Sequence, residues 1–394
     1  MTHDYNAESI ALHKEHHGKI GLSVKVPLAT REDLSRAYTP GVAEISREIA
    51  RDPSLAREYT LKRNTVAIIS DGSAILGLGN LGALAAIPVM EGKAAILKSF
   101  AGVDAFPICL DTQDTEEIIK AVKQLAPVFG AVNLEDIAAP RCFEIEERLR
   151  KELSIPVMHD DQWGTATVVL GGLINALKVT GRIKQTGGSG PETREDAVDT
   201  DVKIVVNGVG SAGVATSRLL LSCGFKNILF CDSKGIIHAS RSDLTSEKKE
   251  LLAGSLLGGH EGALVDALVD TDVFIGVSKA GVLTKDMVLT MKKDPIVFAL
   301  ANPTPEIMPD LAKEAGVAVI ATGRSDFPNQ LNNSLIFPGL FKGVLEKNIK
   351  QFEIGMFTRA ALALASHVKH PTRDEILPNM FDKELVEVIA QTVG

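Results

Sequence analysis

Short apolar runs recur along the chain, and most of them end in glycine, acidic or amide residues. Runs of this length predict buried parallel strands, which are covered on both faces in α/β proteins. The predicted strands cover residues 66–70, 128–134, 155–158, 202–207, 227–231, 273–277, 296–300 and 317–320. Residues 164–180 are apolar on almost every side and predict a buried helix, and the chain from residue 347 onward also predicts helices. Residues 93–98, which follow a glycine, predict one further strand.

The length of 394 residues exceeds what one ordinary hydrophobic core holds, so it predicts two α/β domains. We expect an N-terminal α/β domain over residues 1–163 and a doubly wound, Rossmann-type domain over residues 164–345. Residues 346–394 would form C-terminal helices. The Gly-rich stretch of residues 184–201 predicts a flexible surface loop.

One strand and the residues after it match the dinucleotide-binding fingerprint in its full context. The strand at residues 202–207 runs directly into a glycine-rich turn, and an amphipathic helix follows. The pyrophosphate of a cofactor would rest on backbone N–H groups at the start of that helix. The predicted cofactor contacts in this turn are Gly208, Gly210, Ser211, Ala212 and Gly213.

The next strand ends at Asp232, 19 residues after the last of these glycines, where a carboxylate would accept hydrogen bonds from an adenosine ribose. This carboxylate favours NAD, because it would repel the 2′-phosphate of NADP. Lys234 argues the other way, since it could pair with that phosphate, so NADP stays open. Val277, Ser278 and Asn302 follow the ends of two later strands and would lie along the same crevice.

Two pairs of adjacent acidic residues also follow predicted strands. Asp160 and Asp161 stand between a strand and the buried helix, and Glu135 and Asp136 follow another strand. Carboxylates gathered at one sheet edge would repel one another unless a cation lies among them. Oxygen ligands without companion Cys or His residues suit Mg²⁺ or Mn²⁺. The alternative is that each pair caps a helix or faces water.

Tyr38 and Lys93 are candidates for proton transfer. Tyr38 stands beside a rigid Pro-Gly turn, where it is either a packing residue or an acid next to a cation. Lys93 is either a surface residue or, if buried near a divalent metal, a base with a lowered pKa. Asn302 and the Asn-rich loop that contains Asn333 suggest a polar substrate, although such residues also occur in plain turns.

Composition and charge narrow the functional classes. Hydrophobic residues make up 45% and charged residues 23% of the chain, which is typical of a globular protein. The net charge of −8 and the lack of a basic stretch argue against nucleic-acid binding. The four cysteines are scattered, and residues 1–25 lack an apolar core of signal-peptide length. We therefore expect reduced thiols, a cytoplasmic protein and no membrane segment.

The combination of these motifs resembles the malic enzyme family, in particular its short bacterial type. The similar stretches lie at residues 38–41, 71–82, 91–93, 135–136, 159–166, 208–213, 332–333 and 337–339. The resemblance implies oxidative decarboxylation of (S)-malate to pyruvate and CO₂, with a nicotinamide cofactor and Mg²⁺ or Mn²⁺. It also implies that residues 1–163 hold substrate and metal. A homodimer is the expected assembly, because it is the commonest closed one.

The resemblance further assigns roles to individual residues. The implied metal ligands are Glu135, Asp136 and Asp161; the implied catalytic residues are Tyr38 and Lys93 with Asp160 beside them; the implied malate contacts are Asn302 and Asn333. One position departs from the larger eukaryotic members, which have an arginine where this chain has Ala74. Lys93, the metal or another arginine would then have to neutralise the substrate carboxylate.

Two other functions are compatible with the fingerprint. One is a metal-independent NAD-dependent dehydrogenase of another 2-hydroxy or amino acid, which would stay active after chelation with EDTA. The other is a non-catalytic module that senses NAD. Such a module would produce no reduced-cofactor absorbance with malate and Mg²⁺ or Mn²⁺.

Overall fold

Two β-sheets, one parallel and one mostly parallel, are connected by a long helix in a computed structural model that describes residues 4–183 and 201–394. This architecture confirms the predicted α/β class. The surface loop predicted at residues 184–201 lies outside the described residues, apart from Asp201. Within the two described ranges, no helix is both long enough and apolar enough to cross a bilayer.

The first sheet has four parallel strands in the order β2-β1-β3-β4. Its strands are β1 (Thr65–Ser70), β2 (Asp104–Cys109), β3 (Ala131–Leu134) and β4 (Val157–His159). The ends of β3 and β4 are in register, with Leu134 beside His159. The residues that follow these two strands therefore emerge together at the carboxyl edge of the sheet.

Seven α-helices precede the end of the first sheet in the described chain. They are α1 (Tyr5–His16), α2 (Arg31–Ala37), α3 (Val42–Arg51), α4 (Leu55–Tyr59), α5 (Ala83–Ala101), α6 (Thr115–Leu125) and α7 (Arg141–Glu152). Short 3₁₀ helices lie at Leu61–Asn64 and Ile75–Gly77.

The strand predicted at residues 93–98 is wrong, because this segment lies inside α5. The buried side chains Met90, Lys93, Ala94 and Leu97 recur every three or four residues, which is the period of a helix face. A short apolar run does not distinguish a buried helix from a buried strand. Lys93 consequently points with the core-facing residues of a helix.

The N-terminal arm, which we define as residues 4–64, contributes little to the core. None of the helices α1–α4 buries a residue, although α3 is strongly amphipathic. Several large apolar side chains of the arm are exposed, including Leu22 at 87%, Val24 at 72% and Tyr38 at 65%. Among the described residues of a single chain, the arm therefore presents an extended apolar surface to solvent.

The second sheet has six strands in the order β10-β9-β8-β5-β6-β7, and only β7 is antiparallel to its neighbour. Its strands are β5 (Ile204–Asn207), β6 (Ile228–Asp232), β7 (Gly235–Ile236), β8 (Val273–Gly276), β9 (Ile296–Ala299) and β10 (Val319–Thr322). The strand order reverses between β5 and β8, which is the switch point where doubly wound sheets bind ligands.

Helix α8 (Asp160–Val179) connects the two sheets and is buried along most of its length. It packs against α9 and α15, and one core cluster includes residues of both sheets and of the C-terminal helices. The remaining helices are α9 (Ser211–Ser222), α10 (Ser246–Gly254), α11 (Leu264–Leu268), α12 (Lys285–Leu289), α13 (Pro309–Glu314), α14 (Phe337–Glu346), α15 (Ile354–His367) and α16 (Leu385–Gln391). A 3₁₀ helix spans Asn333–Leu335. The proposed domain boundary at residues 163 and 164 falls inside α8.

Candidate active site

Three carboxylates meet at the carboxyl edge of the first sheet. Glu135 and Asp136 follow β3, Asp161 follows β4, and one oxygen of each lies within 4.8 Å of the others. The backbone N–H of Asp136 donates to Asp161 Oδ2 at 2.9 Å, and Asn133 Nδ2 donates to Glu135 Oε2 at 3.0 Å. Asp136 has a φ of 53°, a left-handed conformation of the kind that accumulates at functional sites.

The charges of this cluster fit a divalent cation. Burial, followed by the charge of Asp161, raises the pKa of Asp136 to about 7. Burial also raises the pKa of Glu135 well above its usual range. Asp136 Oδ2 is buried and has no hydrogen-bond partner among the described residues. An oxygen-only donor set with an unpaired buried carboxylate oxygen suits a hard ion such as Mg²⁺ or Mn²⁺.

Lys93 reaches this cluster from α5. Its ammonium forms an ion pair with Asp160, lies 3.0 Å from Glu135 Oε1, and sits 4.4 Å from the centre of the Phe337 ring. Burial alone lowers the pKa of Lys93, but Asp160 and Glu135 outweigh it and hold this pKa above its ordinary value. Lys93 is therefore a charged amine that keeps its proton while the surrounding carboxylates offset its charge.

Glu146, which sequence reasoning missed, forms hydrogen bonds with residues at the start of α8. Its buried carboxylate accepts from the backbone N–H of His159 at 3.1 Å and from Trp163 Nε1 at 3.2 Å. Burial raises the pKa of Glu146 to about 7. A glutamate on the apolar face of α7, between Ile145 and Leu149, is the sequence signal that could have identified it.

Gly164 leaves the room that the Asp160 side chain needs. A Cβ at this position would lie 2.9 Å from Asp160 Cγ and 3.1 Å from Asn333 Cβ. Asp160 is fully buried and cannot move into water. A glycine one turn into α8 is therefore required for the Asp160–Lys93 ion pair.

A cavity of about 890 Å³ joins the carboxylates to the second sheet. Its lining includes the predicted residues Lys93, Glu135, Asp136, Asp161, Ser211, Ala212, Val277, Ser278, Asn302 and Asn333. Ala74 also lines it. Ser9, His13 and Lys19 of the N-terminal arm line the cavity, but Tyr38, which is exposed on the same arm, does not.

The fingerprint turn has the close packing that its glycines predict. A Cβ at Gly208 would lie 2.5 Å from the carbonyl oxygen of Val277, and a Cβ at Gly213 would collide with the carbonyl oxygen of Gly208. Gly210 precedes α9, so Ser211 begins the helix at the mouth of the cavity. The free N–H groups of this helix end are available to an anion.

A second buried carboxylate, Glu306, connects the loops after β8 and β9. It accepts from the backbone N–H of Ser278 at 2.8 Å and from that of Ala301 at 2.9 Å. Asn207 Nδ2 at the end of β5 donates to Ser278 Oγ at 2.8 Å. Sequence reasoning did not find Glu306, because it lies beyond the loop rather than at a strand end.

Asp232 lies at the end of β6 inside a basic cluster. Arg241 donates to both of its oxygens at 3.0 and 2.8 Å, and Lys248 Nζ donates at 2.7 Å. Burial opposes ionisation, but the hydrogen bonds from Arg241 and Lys248 lower the pKa of Asp232 to about 2. Lys234, the residue that the sequence set against Asp232, pairs instead with Asp243 at 2.8 Å.

Comparisons with known proteins cover nearly the whole chain. Residues 17–150 match the malic enzyme N-terminal domain, and residues 163–393 match the malic enzyme NAD binding domain. The chain is 49% identical over 390 residues to the bifunctional malic/malolactic enzyme of Bacillus subtilis (strain 168), covering 98% of this chain and 92% of that protein.

Two further comparisons agree. The NAD-dependent malic enzyme of Geobacillus stearothermophilus is 51% identical over 378 residues, which cover 95% of this chain and 76% of that protein. The crystal structure of an NAD-dependent malic enzyme from Thermotoga maritima superposes with a TM-score of 0.91 at 44% identity, and 98% of each chain is covered.

Proposed function

The chain belongs to the malic enzyme family, and from this premise we propose that it oxidatively decarboxylates (S)-malate to pyruvate and CO₂ with reduction of a nicotinamide cofactor. One observation carries the proposal beyond family membership. A buried lysine and a carboxylate cluster line the same cavity as the start of the dinucleotide-binding helix.

We propose Glu135, Asp136 and Asp161 as the ligands of a divalent metal, on the strength of their common edge and oxygen-only donor set. When bound, Mg²⁺ or Mn²⁺ would polarise the malate hydroxyl and offset the charge of these carboxylates. Because this cavity lining has Ala74 in place of arginine, neutralisation of a substrate carboxylate falls to the metal or to a cation of the lining, which includes Lys19 and Lys279 besides Lys93. Asn302 and Asn333, which line the same cavity, supply amide groups for malate.

In the proposed reaction Lys93 takes the proton of the malate hydroxyl, and Asp160 holds the lysine in position. Neutralisation of Glu135 and Asp161 by a bound metal would remove part of the charge that raises the pKa of Lys93, and burial already favours the neutral amine that a base requires. Tyr38 then donates a proton to the carbon that has lost CO₂. When bound, the nicotinamide would supply the acceptor for the hydride of the hydroxyl carbon, which leaves before CO₂ is lost.

We propose NAD as the preferred cofactor, held by Gly208, Gly210, Ser211, Ala212 and Gly213 with Val277, Ser278 and Asn302. Asp232 supports this preference, because its carboxylate occupies the position that contacts the ribose in such folds. Comparison of kcat/KM for NAD and NADP tests the preference directly. A higher value for NADP would refute it.

The proposed assembly is a homodimer in which Tyr38 reaches the active site of the partner. Two observations support this proposal: Tyr38 does not line the cavity of its own chain, and the N-terminal arm exposes an apolar surface. Co-expression of Tyr38→Phe and Lys93→Ala chains tests it. In a mixed dimer, one site would combine intact Lys93 with intact Tyr38, so about a quarter of the wild-type activity should return under random pairing.

If both residues served the same chain, no site in such a mixture would be intact. Activity equal to the sum of the separate variants, in a sample where mixed dimers are verified by mass spectrometry, would therefore refute the exchange.

The reaction itself is tested by the absorbance of reduced cofactor with malate. Turnover with Mn²⁺ that disappears with EDTA and returns with added Mn²⁺ is the expected result. Persistence after chelation would favour a metal-independent dehydrogenase, and no turnover in any condition would favour a module that only senses NAD. We also propose a cytoplasmic location, in keeping with four free cysteines.

A further inference from the structure

A second cavity, of about 270 Å³, lies at the amino ends of the strands of the first sheet, whereas the carboxylates lie at their carboxyl ends. Gly130, immediately before β3, and Ile155, shortly before β4, form its floor. The N-terminal arm forms one wall, and the loop between α14 and α15 forms another. This cavity is not used by the proposed reaction.

Three cationic side chains line this cavity, namely Arg57, Lys62 and Lys350, and the described lining contains no carboxylate. Lys62 Nζ is anchored, because it donates to the carbonyl oxygens of Ala126 at 3.0 Å, Pro127 at 3.1 Å and Phe129 at 2.6 Å. These three hydrogen bonds hold the positive charge of Lys62 at the cavity wall, whether or not a ligand is bound.

The other two cations have unused hydrogen-bonding capacity. Lys350 Nζ donates to Asn348 Oδ1 at 2.9 Å. The half-buried guanidinium of Arg57 has no hydrogen-bond or ion-pair partner among the residues that the structure describes. A planar group with five donors is thus presented to the cavity without an acceptor.

The cations also repel one another. Burial, then the charges of Lys350 and Arg57, lowers the pKa of Lys62. Burial and the charge of Arg63 lower the pKa of Arg57. Gathering like charges in a partly desolvated space is unfavourable, and an anion between them would relieve the repulsion.

We propose that this cavity binds a small oxyanion with at least two negative charges, of the phosphate or polycarboxylate class. The Arg57 fork matches two oxygens of such a group, and Lys62 and Lys350 add charge from other walls. No aromatic ring lines the described cavity, so a nucleobase would have nothing to stack on. The bound anion would join the N-terminal arm to the body of the chain.

Calorimetric titration of the full-length protein with two probes, inorganic phosphate and citrate, tests the site and distinguishes the two anion classes. The protein is saturated with NAD and free of metal and malate, so that the cofactor crevice is occupied. Saturable binding of at least one probe is expected, near one per chain. Arg57→Ala should weaken its affinity at least tenfold, Lys350→Ala should also weaken it, and Arg57→Lys should weaken it less than Arg57→Ala.

Two matched variants serve as controls. Arg373→Ala removes the same charge from an exposed arginine that faces Asp294, and it should leave the affinity unchanged. Lys248→Ala removes a cation from the Asp232 cluster and should likewise have no effect. Circular dichroism and the thermal unfolding midpoint, measured on the Arg57 and Lys350 variants, report whether they are folded.

Absence of saturable binding by both probes would overturn the proposal. So would wild-type affinity in a folded Arg57→Ala variant, or loss of binding in Lys248→Ala. None of these results depends on whether the protein turns over malate.

Discussion

The substitution Gly164→Ala separates local helix preference from the needs of the active site. In an unobstructed helix interior, replacing glycine by alanine stabilises the fold by about 1 kcal/mol. Here the new methyl would lie 2.9 Å from Asp160 Cγ, so the carboxylate would have to move away from Lys93. Because breaking a buried ion pair costs about 3–5 kcal/mol, we expect a net loss of about 2–4 kcal/mol.

Malate turnover should fall further than stability alone explains. Displacement of Asp160 by about an ångström would leave Lys93 misplaced, so kcat/KM should drop on the order of 10²-fold. Urea unfolding and steady-state rates measure the two effects. The matched control for stability is Gly92→Ala in α5, where a Cβ would meet no heavy atom within 4 Å. We expect this control to be as stable as the wild type or slightly more so. If Gly164→Ala matched this control in unfolding midpoint and the wild type in turnover, the assigned role of Gly164 would be wrong.

Three further predictions follow from the buried carboxylates. Because burial raises the pKa of Asp136 to about 7, protons compete with a metal ion for this carboxylate below that pH. The affinity for Mn²⁺ should therefore weaken as pH falls below about 7. A constant affinity from pH 8 to pH 5.5 would contradict this expectation. Glu146 keeps its proton up to about pH 7 in the folded protein but only up to about pH 4.5 in the unfolded chain. Its contribution to the free energy of unfolding should therefore decrease by on the order of 3 kcal/mol as pH rises from about 4.5 to about 7. Glu146→Gln should flatten that part of the curve of unfolding free energy against pH, and an unchanged slope would refute the reasoning. Glu306→Gln should raise the KM for NAD about tenfold, because the backbone N–H groups of Ser278 and Ala301 lose a charged acceptor. The control Asp310→Asn, at an exposed position of α13, should leave this KM unchanged. Equal KM values in the two variants would contradict the role of Glu306.

Much of the scaffold could be predicted from local sequence alone. The strands at β1, β5 and β8 are short apolar runs bounded by polar or glycine residues, and such runs carry their own signal of burial. The fingerprint turn could also be predicted from the sequence, because its glycines are required by contacts with residues a few positions away or at the end of the neighbouring strand. The acid pairs could be assigned to one edge, since the ends of parallel strands meet there.

Segments whose environment is set by distant residues could not be assigned in this way. The sequence predicted a strand at Lys93, and only the tertiary structure places it on a helix that meets Asp160, 67 residues away. Glu146 and Arg241 gain their roles from packing and pairing that no local pattern encodes.

The sequence by itself determined eight of the ten strands of the described chain, all but β2 and β7, together with the fingerprint and the types of ligand available. The tertiary structure decided which side chains meet, which carboxylates are buried, and that Tyr38 lies away from the cavity of its own chain. The physical reason is the distance along the chain over which each effect acts. Backbone periodicity and turn chemistry depend on residues only a few positions apart. Burial and charge interactions depend on every segment that packs nearby.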